Sequence, residues 1–426
     1  MTSASLPPPP RPVRLVVTDD LARRRLTVLF RIVLALPHLV WVTLWGMAAF
    51  TLAFVVWLAV LFERRAPGTL HRFLVSYVRY TVHLTAYLTL AAAPYPRFTG
   101  SDPYPVDVEI DPPARQGRLG AGFRLLLAVP ALLLSSTLGG SAALGGWSGI
   151  ALLSGAGGLA VAVALLGWFA SLVRGRMPRG MRDAATYAIG YGAETAAYAL
   201  LLTDRYPLAS PGRVDPVPEL PAHPVAIAVR DDLGRPRLLV AFRFLLVIPH
   251  LLWLALWAVP AALAVVAAWV LALVLGRVPR FLHRFLAAFV RTTTHVWAFL
   301  YVVGRPFPGF VGREGSYPID LTIAPPARQR RLGVLARALL VLPALVLSFA
   351  YSGVLTVVAV MGWLAALVTG RMPPGLRDLG AAALRYQAQV YGYLFLLTSR
   401  YPDSSPVLRG RPEPAPLPAL PAEVVG

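Results

Sequence analysis

The chain has no cysteine and no lysine, and charged residues make up only 14% of its 426 residues. Without cysteine there is no disulfide, no thiolate metal site and no cysteine nucleophile. Soluble domains carry about 25% charged residues, so this chain is too poor in charge to coat a globule of its size. Its formal charge of +20 comes from an excess of arginine over acidic residues. The arginines stand at the ends of apolar runs rather than in clusters with aromatics. That placement argues against nucleic acid as a partner and for a lipid bilayer, with anionic headgroups as candidate ligands. Also missing are H-E-x-x-H, a Walker A loop, G-x-S-x-G and a dinucleotide fingerprint. Neither an enzyme activity nor a cofactor nor a metal is expected. The pairs Asp19-Asp20 and Asp231-Asp232 are read as partners of nearby arginines.

What the chain does have is long uncharged runs: Ile32 to Phe62, Leu125 to Val173 and Phe244 to Gly276. About 20 apolar residues cross a bilayer, so each run is long enough to do so. It also has a fourfold pattern. Arg-Leu, four residues, Arg, five residues, Pro occurs at Arg25 to Pro37, Arg118 to Pro130, Arg237 to Pro249 and Arg331 to Pro343. Twelve positions before each Arg-Leu a short alternating segment begins, at Val13, Val106, Val225 and Ile319. Period-two alternation predicts a half-buried strand. Downstream, Trp57, Trp168, Trp269 and Trp363 each precede by ten residues a proline, at Pro67, Pro178, Pro279 and Pro373. An aromatic-proline pair then closes each unit: Tyr95-Pro96, Tyr206-Pro207, Phe307-Pro308 and Tyr401-Pro402. So many matched offsets predict four copies of one unit.

The units run over residues 13–97, 104–207, 225–308 and 317–402, with Pro-rich disordered tails at 1–12 and 403–426 and a linker at 208–224. Units one and three match best, as do two and four, which share PPARQ from Pro112 and Pro325. Unit two holds 18 extra residues in a Gly- and Ser-rich zone, Ser135 to Gly158. Insertions are tolerated in loops. Near the same place stand Trp45-Gly46, Trp257 with Pro260, and Tyr351-Ser352-Gly353. These punctuators predict a transmembrane hairpin in each unit, for example Leu26 to Trp45, a turn, then Met47 to Phe62. The rival is a single tilted helix from Pro37 to Phe62. With the hairpin, both basic ends lie on one side, which the positive-inside tendency makes cytoplasmic.

The motif arginines Arg31, Arg124, Arg243 and Arg337 lie about two turns into the first helix and read as structural anchors that snorkel to the interface. The matched prolines Pro37, Pro130, Pro249 and Pro343 read as kinks. After the long run comes a third helix. In it Arg79, His83 and Tyr87 share a face; the matched positions are Gly190, Glu194 and Tyr198, then Arg291, His295 and Phe299, then Arg385, Gln389 and Tyr393. Either this helix spans and its polar stripe (Arg79, His83, Glu194, Arg291, His295, Arg385, Gln389) lines a cavity or binds headgroups, or it is an amphipathic helix on the cytoplasmic surface. Glu194 is expected to pair with Arg79, Arg291 or Arg385.

The run Tyr104 to Pro113, Arg118, Arg124, Trp168, Gly175-Arg176-Met177-Pro178, Tyr198 and Thr203 to Pro207, repeated in the other units, resembles an uncharacterised bacterial membrane-protein family, the domain of unknown function 4389. Unit one departs from it with Arg64-Arg65 for Gly-Arg, and unit three with Phe307 for tyrosine. The resemblance implies membrane residence and has no activity to transfer. The expected molecule is an all-α polytopic membrane protein of four units and at least eight spans, with a small sheet and the termini on the cytoplasmic face of the cell membrane. A non-enzymatic envelope scaffold that organises lipid and partner proteins is the expected role. The alternative is a transporter or channel lined by the third helices.

Overall fold

A computed structural model describes residues 11–139, 158–212 and 222–408. The first ten residues, 18 residues of the Gly-rich insertion, positions 213–221 of the linker and the tail from 409 lie outside the described residues, and the expected disorder there with them. The structure is mostly helical. In chain order it runs β1 (Val13–Val17), α1 (Arg25–Leu29), α2 (Arg31–Glu63), α3 (Gly68–Leu88), β2 (Val106–Ile110), α4 (Arg118–Gly122), α5 (Arg124–Leu138), α6 (Leu159–Arg174) and α7 (Arg179–Ala199). It continues with β3 (Val225–Val229), α8 (Arg237–Ala241), α9 (Arg243–Leu246), α10 (Ile248–Leu275), α11 (Arg280–Leu300), β4 (Ile319–Ile323), α12 (Arg331–Thr369) and α13 (Pro374–Leu394). The strands form two two-stranded antiparallel sheets, β1 with β2 and β3 with β4.

The expected hairpins are absent from the three intact long segments. Helix α2 runs unbroken through Gly46, α10 through Pro260 and α12 through Gly353. Gly and Pro are common inside apolar helices, where other groups re-satisfy the backbone, so they do not punctuate here. In unit two the corresponding segment is interrupted at one point. A Cβ on Gly158 would fall 2.7 Å from the Gly139 amide, so the chain leaves and rejoins at adjacent points. The turn expected within the insertion, residues 140–157, lies outside the described residues. With the hairpins go the count of eight spans and the sidedness inferred from them.

Three stretches, Arg31–Glu63, Arg243–Leu275 and Arg331–Thr369, are long and apolar enough to cross a membrane. Pro37, Pro130 and Pro343 lie inside continuous helix, and Pro249 lies in a first turn. Three interruptions come seven residues earlier, at Phe30, Phe123 and Phe242, which leave helical geometry just before the motif arginine, and a further one, at Val247, falls two residues before Pro249. Where unit four has Ala336 instead, α12 is continuous. Alanine is the strongest helix former and phenylalanine a weaker one.

Each long segment ends in a left-handed residue: Arg64 (φ 60°), Gly175 (67°), Gly276 (68°) and Gly370 (72°). A proline at each next helix's N-terminus then fixes φ and starts α3, α7, α11 and α13, which are 21 residues each. Arginine is strained where glycine is at ease. Arg64→Gly is therefore expected to raise stability by about 0.5–1 kcal/mol, the strain relieved less the extra backbone entropy of glycine, read as a higher Tm in detergent. An unchanged or lower Tm would show that the arginine side chain compensates.

The 21-residue helices are the most enclosed part of the molecule. Helix α13 is buried from Gly375 to Tyr386 without interruption, while apolar residues of the long rods stay open, for example Ile32 at 71%, Phe349 at 83% and Val368 at 75% exposure. The expectation of a helix lying along a surface is thus replaced by one packed inside protein. Residues Asp403–Leu408, expected to be tail, are also packed; the Ser405 and Val407 carbonyls accept from Arg385.

Candidate functional site

Units one and two, and likewise units three and four, are sister units that clasp one another by their ends. The Arg23 amide donates to the Gly175 carbonyl, and the Gln116 amide to Arg64, at 2.9 and 2.8 Å. The arginines of the Arg-Leu pairs do the same with side chains. Arg25 donates to Val173, Arg118 to Phe62, Arg237 to Leu367 and Val368, and Arg331 to Val274. Each meets the last carbonyls of the sister rod, where a cation is favoured by the helix dipole and by the unpaired backbone. The indoles of Trp57 and Trp168 make a reciprocal pair of bonds, to Ala121 and Val28. Trp363 bonds Val240 likewise, and Trp269 bonds Leu394.

The motif arginines are anchors, but they do not snorkel. Arg31, Arg124, Arg243 and Arg337 are at most 3% exposed. Their guanidinium groups lie over Tyr87, Tyr198, Phe299 and Tyr393, 4.1 to 4.4 Å from the ring centroids. Those rings are the aromatic members of the third-helix face. Free donors then close the end of that helix: Arg243 on Phe299 and Gly304, Arg337 on Tyr393 and Thr398, Arg31 on Ala92 and Ala93. Arg124 instead donates to the Gln116 side chain.

A second set of residues, two before each Arg-Leu, was not singled out from sequence. Arg23, Gln116, Arg235 and Gln329 each donate to the carbonyl of a left-handed residue just after a 21-residue helix: Leu90, Leu201, Val302 and Leu396. In units one and three the donor is arginine with a buried carboxylate at 2.7 Å, Asp19 or Asp231. In units two and four the acid is replaced by Pro112 or Pro325, and the donor is neutral glutamine. The charge and its partner come and go together, as burial demands. The matched offset from Arg-Leu, and the shared PPARQ, held that signal.

The stripe residues do not meet one another across the four units. Arg79 and His83 converge on Asp107 of β2; the His83 Nε2–Asp107 Oδ1 distance is 2.8 Å and Arg79 Nη2 lies 2.5 Å from Oδ2. Arg291 and His295 converge on Asp320 of β4, at 3.6 and 2.7 Å. Burial pushes the Asp107 carboxyl up, but bonds from His83 and Arg79 outweigh it and bring it to about 2. Asp320 is lowered too: burial opposes, while His295 and the amides of Gly315 and Leu321 prevail.

Glu194 pairs with none of Arg79, Arg291 or Arg385. It takes Arg11 at 3.0 Å and the Leu208 amide at 2.8 Å, and burial raises its carboxyl pKa against both. Gln389 bonds the Val225 carbonyl and accepts from the Asp403 amide. The stripe therefore fastens the sheets and return loops to the helices.

One open cleft of about 690 Å³ lies at the start of α2, lined by Asp20, Arg23, Arg24, Arg31, Tyr95 and Gly175 among others. Asp19 neutralises Arg23, which leaves Arg24 and Arg31 as net positive charge beside Asp20. Among the described residues, no group of three acidic or histidine side chains could hold a metal ion.

No curated protein and no solved structure matches the chain. Three stretches, residues 25–99, 149–210 and 331–404, are each similar to the family described as Domain of unknown function (DUF4389).

Proposed function

We propose that the chain is a non-enzymatic cell-membrane protein of four homologous units that organises lipid, and partner proteins with it. The observation that carries this reading is the inside-out distribution of polarity. The rods α2, α10 and α12 turn apolar side chains outward along their length, whereas Arg23, Arg235 and Arg291 meet carboxylates within. A soluble monomer rarely exposes apolar patches beyond a few hundred Å²; lipid is the solvent that fits. Homology of all four units is supported by the offsets of strand, arginine motif, proline and 21-residue helix, which recur together.

The cleft beside Arg24 and Arg31 gives anionic headgroups a place to dock. Purified chain moved from neutral phosphatidylcholine vesicles to vesicles containing phosphatidylglycerol is expected to gain thermal stability, and Arg24→Gln to lose most of that gain. Equal Tm in both lipids removes the headgroup part of the reading. The stripe charges are taken up by Asp107, Asp320 and backbone carbonyls, which disfavours a transport path along the third helices.

A further inference from the structure

We infer that the long helices do not cross the bilayer but lie in the plane of one leaflet, with both sheets on the water side. This rests on the membrane reading above and concerns how the chain sits in lipid. The clasp bonds fix the first premise. The start of α1 meets the end of α6, and the start of α4 meets the end of α2, so sister rods run antiparallel. The strand register, Val13 to Ile110, Leu15 to Val108 and Val17 to Val106, is symmetric about its centre. A pseudo-twofold axis thus passes through the β1–β2 sheet, across the helices.

The second premise is where the sheets sit. Asp107 meets Arg79 and His83 in the middle of α3, and Leu15 lies against Gly190 in the middle of α7. Helix α3 runs alongside α2, with Tyr87 at Arg31, Tyr80 at His38 and Tyr77 at Trp45. If these helices stood along the membrane normal, the sheet would lie near the bilayer centre. It is two-stranded, so both its edges are open. It also carries Arg14, Glu109 and Asp111, whose side chains are 41%, 61% and 42% exposed. Open edges and unburied charge do not occur in hydrocarbon. Turning the axis along the normal lifts the sheet into water and leaves the rods in lipid.

Length agrees. Exposed apolar residues run on α2 from Ile32 to Phe62 and on α12 from Leu332 to Val368. At about 1.5 Å per residue these are about 45 and 54 Å. A hydrocarbon core of about 30 Å would require tilts near 48° and 56°, beyond the usual range of about 0–40°. In-plane rods need no such match. Arginines at both ends of each rod, among them Arg24 and Arg65 on α1–α2 and Arg237 and Arg277 on α8–α10, then all reach one headgroup layer.

The cysteine-free chain allows a direct test with single cysteines. Arg24→Cys and Glu63→Cys mark the two ends of one rod, and Glu109→Cys marks the sheet; all three residues are exposed. Full-length variants in sealed vesicles of either orientation are treated with a membrane-impermeant maleimide. The expected result is labelling of all three from the same side only. Labelling of Arg24→Cys and Glu63→Cys from opposite sides overturns the inference and restores spanning rods. So does labelling of Glu109→Cys from both sides, which would place the sheet in a water-filled path. Flotation of unmodified chain with vesicles is scored separately. Failure to float sinks the membrane reading itself, whereas floating chain with ends on opposite sides sinks only the in-plane arrangement.

Discussion

Arg243→Ala is expected to destabilise the folded chain by about 3 kcal/mol, read as a fall in Tm in detergent. Arg243 is 1% exposed. Its Nη1 donates to Phe299 at 2.6 Å and to Gly304 at 3.2 Å, and its guanidinium stacks 4.4 Å from the Phe299 centroid. Alanine leaves two carbonyls at a buried helix end without donors, at about 1–3 kcal/mol each when nothing relaxes. It also forfeits a cation–π contact of about 0.5–2 kcal/mol and the packing of the aliphatic stem. Against that stands the cost of burying an arginine with no carboxylate partner, which alanine relieves. Arg243→Met separates the contributions, because it keeps most of the stem and loses the donors. If methionine were as stable as arginine, the clamp on the helix end would contribute nothing and packing alone would explain the motif. The same comparison at Arg31 and Arg337, which also clamp backbone carbonyls, is expected to give effects of the same sign.

That clamp was half legible. The spacing of Arg31, Arg124, Arg243 and Arg337 from the Arg-Leu pair placed each one at a fixed depth in a helix, and the face shared by Arg79, His83 and Tyr87 placed an aromatic at a fixed depth in another. What periodicity cannot supply is which faces meet. Arg31 and Tyr87 are joined by a reversal of the chain at Arg64 to Pro67, and only that fold-back brings them to 4.1 Å. The destination of Arg79 and His83 was hidden for a related reason: Asp107 sits on a strand that reaches them through a return loop, and nothing in its neighbourhood marks it as the shared acceptor.

Polarity misled in a second way. Helices α3, α7, α11 and α13 carry more polar residues than the rods, which in a water-soluble frame puts them outside. In the lipid setting proposed above the outer medium is apolar, so polar groups are better placed inside, and the stripe residues of these enclosed helices bond strands and return loops. By the same logic Gly46, Pro260 and Gly353 looked like turns because, in water, such residues end helices. In a rod whose backbone has no water to turn to, breaking the hydrogen-bond ladder costs more than keeping it.

The other large effect is expected at Asp320. Asp320→Ala should cost about 3–5 kcal/mol, because it strands His295 inside protein and leaves the Gly315 amide without its acceptor. The carboxylate accepts from His295 Nε2 at 2.7 Å and the Leu321 amide at 2.8 Å, and also from the Gly315 amide. Arg291 keeps Glu314, at 3.3 Å, and the Leu321 and Gly312 carbonyls, so the loss falls chiefly on His295 and the Gly315 turn. The double variant Asp320→Ala with His295→Leu should recover part of the deficit, since an apolar pair leaves no unpaired group. No recovery would locate the cost in the loop instead.

Acid provides an independent reading of the matching cluster between units one and two. Asp107 has its carboxyl depressed from 3.8 to about 2. Its contribution to stability is therefore complete above 3.8, and it is lost as pH falls through that window toward about 2. The Tm of the unmodified chain should drop across this interval, and Asp107→Asn should flatten that part of the profile while lowering Tm above it. An unchanged acid profile in Asp107→Asn would mean that Arg79 and His83 hold the strand without the carboxylate charge. The two clusters would then be hydrogen-bonded rather than ionic fasteners of sheet to helix.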